Sequence, residues 1–502
     1  YKDVRLVGAP PSAMGKFGGD TDNWVWPRHT CDFSMFRIYA NIDNEPADIS
    51  DENIPYQAPK ALDIAIDGVE KDDFTMVFGF PGRTSQYLTS KAVDNYIAKL
   101  LPARIEMRKN SLRHIDAAMS MDESTYIKYA SKQSRISNAY KKWIGQDLGL
   151  RKKEAVKKKL AIEKDWLAKN NKNQALLNQL FELEDKKVDA QMAYNMFIEF
   201  YYYGPEMIRW ATGFNSLLKS KEFEKDAKKK SESMQNFFKN YDVDIDKKVF
   251  ASLVPIYVKH VNKSALSPEL LDLISKYELT EQMVAALYKK SKLHNKEQLG
   301  KLLQGSQKSF QKKLKKDPIY NLAQSLLDHF LSEVRPGFSK MTLEEEKLMK
   351  QYVHSLMNTY PNKSFWADAN STLRLTYGKV EGSAPRDGMK YTWFTTIDGI
   401  VEKYNTGEAD FEVPQRLLDL YEEKNYGRYG KNGTLNVCLL GSNHTTGGNS
   451  GSPALDAYGR LVGINFDRSW ESTMSDVLFD KDICRNIMVD IRYVLWVIDI
   501  YA

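Results

Sequence analysis

The stretch Gly447-Gly448-Asn449-Ser450-Gly451-Ser452-Pro453 carries the plainest chemistry in this chain of 502 residues. A run of this kind sets a hydroxyl on a tight turn, where the glycines allow φ values that larger residues resist. Backbone N–H groups on such a turn converge where the oxygen of an attacked acyl group becomes negative. Ser450 is the candidate nucleophile, and the N–H groups of Gly448 and Ser450 are the candidate oxyanion hole. The plainer reading is a Gly/Asn/Ser hairpin turn without chemistry. The order of all seven residues, just ahead of a small-residue strand, favours the nucleophile.

A serine nucleophile needs a base, and the base needs an acid to orient it. Asp32 follows the turn Pro27-Arg28-His29-Thr30-Cys31 and opens an alternating run to Tyr39. In two-barrel serine proteases the acid stands at the start of such a strand; an aspartate that only caps a turn is the competing reading. Asp20 and Asp22 are rivals in the looser turn from Gly18 to Asn23. The histidines are His29, His114, His260, His294, His329, His354 and His444. In the chymotrypsin-type chain order the base precedes the acid, which leaves His29, too near Asp32 to come from a separate strand end. The base is therefore expected outside these residues, and two of three triad members lie within them.

These side chains have to be positioned by elements from both ends of the chain. Residues 1 to about 90 read as strands and turns, with runs at Asp32–Tyr39 and at Phe74–Phe80, the latter stopped by Pro81-Gly82. From about 92 to 360, apolar residues fall at helical spacing, as at Val188, Met192, Met196 and Phe200. Breaks are expected at Gly204-Pro205, Ser267-Pro268, Asp317-Pro318 and Pro336-Gly337. Strands return near 375, through Tyr391–Thr395 and Leu461–Phe466. The expected fold is α+β: one β domain, residues 1–91 and 366–502, interrupted by a helical insertion at 92–365. Three independent domains are the alternative.

Composition is that of a soluble protein, 42% hydrophobic and 27% charged, with 72 basic and 66 acidic residues giving +6. Such a small net charge does not imply nucleic acid. The lysine runs 157–159, 228–230 and 312–316 alternate with acidic residues in helical patterns and read as solvated helix faces. No apolar run reaches membrane-spanning length. Tyr1 opens the chain without a signal peptide, as in a fragment or processed form. Cys31, Cys438 and Cys484 match no metal spacing and are expected to be buried thiols.

Asp20 to Thr30 (Asp-Thr-Asp-Asn-Trp-Val-Trp-Pro-Arg-His-Thr), the Gly-Gly-Asn-Ser-Gly-Ser-Pro run and Asn465-Phe466-Asp467-Arg468 together resemble the S46 family of dipeptidyl-peptidases. The likeness spans essentially the whole chain. It implies a bacterial serine exopeptidase with a chymotrypsin-like double β-barrel, its first barrel truncated here at the N-terminus, and an inserted helical cap. It also implies periplasmic or cell-surface location and a homodimer. By this resemblance Asp32 and Ser450 are the catalytic acid and nucleophile, and the family's histidine falls N-terminal to Tyr1. Asn23, Trp24, Asn138 on the helical insertion, and Asp467 match the residues that hold the substrate's free amino group. A buried ammonium needs a carboxylate and oxygen acceptors, which suits Asp467 and the asparagines. Trp24 offers a wall or a cation–π face.

Arg468 stands eighteen positions beyond Ser450. In double-barrel proteases the corresponding strand walls the pocket for the residue before the cut bond, the P1 residue. Its guanidinium suits a carboxylate there, and the arginine-bearing branch of the family prefers Asp or Glu at P1. A surface bridge from Arg468 to Asp467 or Glu471 is the competing reading. The expectation is an exopeptidase that releases dipeptides with acidic P1 residues and needs neither cofactor nor metal. An endopeptidase of the same barrel class and a non-catalytic helical interaction protein are its rivals.

Overall fold

The alternating runs near both chain ends become antiparallel strands, and the lysine- and leucine-rich middle becomes helices. A computed structural model describes every residue from Tyr1 to Ala502. The chain divides into a β unit, Tyr1–Gln86 with Leu148–Leu150 and Trp366–Ala502, and a helical unit, Tyr87–Asp147 with Arg151–Phe365.

In the β unit, β1 (Asp3–Gly8), β2 (Met35–Ala40) and β3 (Ile54–Pro55) form a small sheet in that order. The remaining strands are β4 (Phe74–Gly79), β5 (Arg374–Lys379), β6 (Ser383–Arg386), β7 (Met389–Tyr391), β8 (Phe394–Thr396), β9 (Asn436–Gly441), β10 (Ser452–Leu455), β11 (Leu461–Arg468) and β12 (Asn486–Asp490). Apart from the β6–β7 hairpin they make one antiparallel sheet, in the order β5-β4-β10-β11-β12-β9-β8. Val380, just past β5, bridges to Gly441 at the end of β9, and Ser442 N–H donates to Lys379 O at 2.9 Å. The first strand of the sheet is thereby joined to its sixth.

Side-chain alternation along these strands builds two cores. Leu439 and Met488 point with Val77, Ala454, Val462 and Val380 into one. Cys438, Leu440, Ile487 and Val489 point the other way, onto Ile397, Ile400, Tyr493 and Trp496. Each fully buried aliphatic side chain contributes about 1.5–3 kcal/mol of transfer free energy. The three cysteines are free and buried, and burial raises each thiol pKa.

Two expected strands have different bounds. Asp32 lies three residues ahead of β2 rather than opening it: Cys31–Ser34 are irregular, with Cys31 N–H bonded to Met14 O and Phe33 N–H to Cys31 O. The Tyr391–Thr395 run is split between β7 and β8.

In the helical unit, helices run from Ser90 to Thr359, the longest being Glu123–Lys152 and Gln174–Tyr203. Met192, Met196 and Phe200 pack into its core as their spacing predicts. Helices end or begin at Gly204-Pro205, at Pro268 and at Pro318, the last capped by the Asp317 carboxylate. Pro336-Gly337 makes no break. A π-turn at Phe330–Val334 joins the helix Pro318–His329 to Arg335–Thr359, and Pro336 falls in the first turn after it, where a missing N–H costs least. No helix is long and apolar enough to cross a membrane. The lysine runs are mostly exposed, but Lys159 is buried.

Candidate active site

Ser450 is exposed on the loop between β9 and β10, and its Oγ donates to the carbonyl of Phe466 at 3.2 Å. β10 and β11 create this proximity: Ser452 pairs with Asn465, and Gly451 N–H donates to Asn465 O at 2.8 Å. Gly448 has φ +104°, and a Cβ there would come within 2.4 Å of Phe80 O, so only glycine fits. The turn after β4 supports the same loop through Gly82 N–H to Gly447 O, 2.6 Å. The N–H groups of Gly448 and Ser450 donate to nothing in the chain, whereas Asn449, Gly451 and Ser452 N–H are all bonded. Two free donors flanking an exposed hydroxyl are the geometry that stabilises an oxyanion.

A buried chain of asparagines holds this loop to the sheet. Thr446 N–H donates to Asn449 Oδ1 (3.0 Å), and Asn465 Nδ2 donates to Asn449 O (3.1 Å). Asn486 Nδ2 donates to Asn465 Oδ1 (2.9 Å), and Asn486 Oδ1 accepts from Asn443 N–H (3.2 Å). Asn443 Nδ2 in turn reaches the carbonyls of Thr75 on β4 and Thr376 on β5. Within this network Asn449 Nδ2 is the one amide group left buried without a partner. The bonds that are made tie the loop to β4, β5, β11 and β12 and favour one arrangement.

At the far end of β11 a bulge between Asn465 and Asp467 shifts the pairing with β12. Asp467 accepts from Arg28 Nη1 (2.6 Å) and Trp24 N–H (3.3 Å) through Oδ2, and from Arg468 N–H (2.8 Å) through Oδ1. Trp24 adopts φ +66°, a region that costs a bulky residue on the order of 1–3 kcal/mol, and this conformation accompanies its N–H bond to Asp467. Asn23 is half-buried beside it. Asp32 remains open to solvent on one side and accepts no hydrogen bond from the chain. Burial raises its pKa, opposed by the charge of Arg28 and reinforced by that of Asp467. Asp22 is taken up by Lys403 at 2.6 Å.

Arg468 is 3% exposed. Nη1 and Nη2 take the two oxygens of Asp476 at 2.7 and 3.2 Å; Nη1 also meets Ser475 Oγ and Thr445 O. The guanidinium lies 5.5 Å over the Trp24 ring, so the cation on that ring here is Arg468. Nε is buried without a partner. The surface-bridge reading is overturned: the partner is Asp476, eight residues on and buried with it. Sequence spacing did not single out Asp476, because the Trp470–Asp476 turn that returns it to β11 is a 3₁₀ segment without periodic signal. Arg28 was also missed as a site residue, although it stands inside the quoted Trp-Pro-Arg-His motif.

Neither histidine of the β unit serves Ser450. His29 is buried against Gly399, and burial pushes its pKa down to about 3. His444 Nε2 meets Ser475 O at 2.9 Å while its ring stacks on Phe479. Asn138 lies exposed on the helix Glu123–Lys152, in the helical unit. No group of three or more acidic, cysteine or histidine side chains is arranged to hold a metal.

The Peptidase S46 family profile matches residues 1–502. An Asp/Glu-specific dipeptidyl-peptidase of Flavobacterium psychrophilum is 43% identical, over 100% of this chain and 71% of its own. Dipeptidyl-peptidase 7 of Porphyromonas gingivalis is 37% identical, over 99% of this chain and 71% of its own. The crystal structure of Porphyromonas endodontalis DPP11 in complex with dipeptide Arg-Glu is 30% identical, with a TM-score of 0.87 over 99% of this chain and 73% of that one. With the profile spanning every residue and a catalytic-type serine loop built as described, the chain belongs to the Peptidase S46 family.

Proposed function

We propose that this chain is the main part of a serine dipeptidyl-peptidase that releases N-terminal dipeptides with Asp or Glu at P1. Overall identity favours the Asp/Glu-specific branch at the top, with relatives at 43% and 41%, but does not separate the branches throughout. The P. gingivalis dipeptidyl-peptidase 7, at 37%, outranks the same organism's Asp/Glu-specific dipeptidyl-peptidase, at 34%. The observation that carries the choice is Arg468, buried at the end of the strand whose Phe466 carbonyl accepts from Ser450. Asp476 takes Nη1 and Nη2 of its guanidinium, and Nε, buried without a partner, is the donor that this reading assigns to a P1 carboxylate. An apolar P1 side chain would leave that donor unpaired.

In this reading Ser450 attacks the carbonyl after the second residue, and its proton passes to a histidine outside these residues. Asp32 orients that imidazole, and the Gly448 and Ser450 N–H groups hold the oxyanion. The imidazolium protonates the leaving amine, and water then releases the dipeptide from the acyl-enzyme. Asp467, Asn23 and Trp24 receive the substrate's ammonium; Asn138 joins them by resemblance alone. The β unit is read as the peptidase domain, 1–91 and 366–502, and 92–365 as the inserted cap. The joining of β5 to β9 supports a closed second barrel of a chymotrypsin-like pair, with β1–β3 belonging to the first. A bacterial periplasmic or surface homodimer completes the proposal.

The test compares chromogenic dipeptides in the full-length protein. Xaa-Asp and Xaa-Glu substrates should turn over and Xaa-Leu should not, and acetylating the amino terminus should abolish cleavage. Equal cleavage of acetylated substrates would make the enzyme an endopeptidase, and preference for Xaa-Leu would move it to the other branch.

A further inference from the structure

The mechanism above uses Arg28 for nothing, yet its guanidinium stands among the charges of the site. Nη1 donates to Asp467 Oδ2 at 2.6 Å and to the Asp22 carbonyl at 3.0 Å, and Nε donates to Thr30 Oγ1 at 2.8 Å. The cation lies 5.2 Å over the Phe466 ring, next to the carbonyl that Ser450 touches. Its side chain and that of Asp467 are each 10% exposed. The Arg28 carbonyl accepts from Thr395 Oγ1 (2.7 Å), which accepts in turn from Cys438 N–H (3.1 Å), so β8 and β9 fix its backbone.

We propose that Arg28 is a positioning residue for the reaction: one guanidinium fixes the Asp467 carboxylate for the substrate's ammonium and supplies the positive charge shared by Asp467 and Asp32. This rests on reading Asp467 as the amine anchor. A carboxylate accepts about four hydrogen bonds, two on each oxygen. Arg28 and Trp24 fill Oδ2, and Arg468 N–H takes one place on Oδ1. The remaining lone pair on Oδ1 is the one left for an ammonium, and Arg28 determines which way it faces. The charged groups facing Asp32 are Arg28 and Asp467. Without the cation the repulsion of Asp467 on Asp32 would stand unopposed, and Asp32 would take up a proton at a higher pH. The same loss would raise the pKa of an imidazole held by Asp32, so both effects move the acidic limb of activity in one direction.

Arg28→Met, Arg28→Gln and Arg28→Lys in the full-length protein separate these roles. With a free-amine Xaa-Glu substrate, Arg28→Met should raise KM roughly 10–100-fold, as expected for losing a charged hydrogen bond, and should shift the acidic limb of kcat/KM to higher pH. Arg28→Lys keeps the charge without the fork, so KM should rise while the acidic limb stays in place. If Arg28→Met does not fold, Arg28→Gln against Arg28→Lys makes the same comparison, and identical pH profiles for the two would overturn the proposal. It is also overturned if Arg28→Met leaves KM and the acidic limb at wild-type values, or lowers kcat alone. Asp467→Asn is the control. Unchanged KM there rejects the amine-anchor reading itself; a raised KM there with none in Arg28→Met rejects only the role of Arg28.

Discussion

In the proposed mechanism Ser450 and Arg468 divide the work at the scale of single residues, one breaking the bond and the other choosing which bond is broken. Ser450→Ala should lower kcat by about 10⁴–10⁶-fold with KM nearly unchanged, a split read by steady-state kinetics on Xaa-Glu substrates. Arg468→Gly should lower turnover of acidic substrates at least about 100-fold. It also strands Asp476, a carboxylate with 10% side-chain exposure, so the variant should lose about 3–5 kcal/mol of stability. Arg468→Gly with Asp476→Asn should regain much of that stability in thermal unfolding while remaining inactive toward acidic P1. If the double variant recovered acidic turnover, Arg468 would not be the specificity residue. The two members of this pair differ in how readable they were. An arginine beside a family motif is visible in sequence, but its counter-ion depends on how a 3₁₀ turn folds back.

Among the elements, β10, β11 and the turn after β4 decide whether the serine loop is a catalytic turn or merely a tight one. Gly448→Ala combines a positive φ with a Cβ driven onto Phe80 O. It should lower kcat about 10²–10³-fold, as losing an oxyanion donor does, while circular dichroism stays native. Asn486→Leu removes the link between Asn465 and Asn443, leaving a buried carbonyl oxygen and a buried N–H unpaired. It should cost roughly 2–5 kcal/mol in denaturant unfolding and loosen the loop enough to lower kcat as well. Wild-type stability in Asn486→Leu would mean that the asparagine chain does not hold the loop. At this scale sequence reading failed in two places for local reasons. Alternation suggested that Asp32 opens a strand, although the irregular stretch Cys31–Ser34 delays β2 to Met35. Pro336 suggested a break, although it falls in the first turn after a π-turn and the helix runs on.

Over the whole molecule, strands separated by some three hundred residues of sequence form one sheet: β4 lies between β5 and β10, with the helical unit intervening in the chain. The proposed homodimer predicts a mass near twice the monomer's by light scattering of the full-length protein, and a monomer mass would reject it. The chain by itself determined the glycine-rich serine loop, the β–helix–β order and the arginine at 468, because each is a local pattern: a glycine-rich turn, a change of hydrophobic period, a residue beside a motif. Only the tertiary structure decided that the Gly448 and Ser450 N–H groups stay free, that Asp467 is already paired to Arg28, and that Arg468 shares its guanidinium with Asp476. Those outcomes depend on which buried donor meets which acceptor across strands far apart in sequence, and no local period encodes such a meeting.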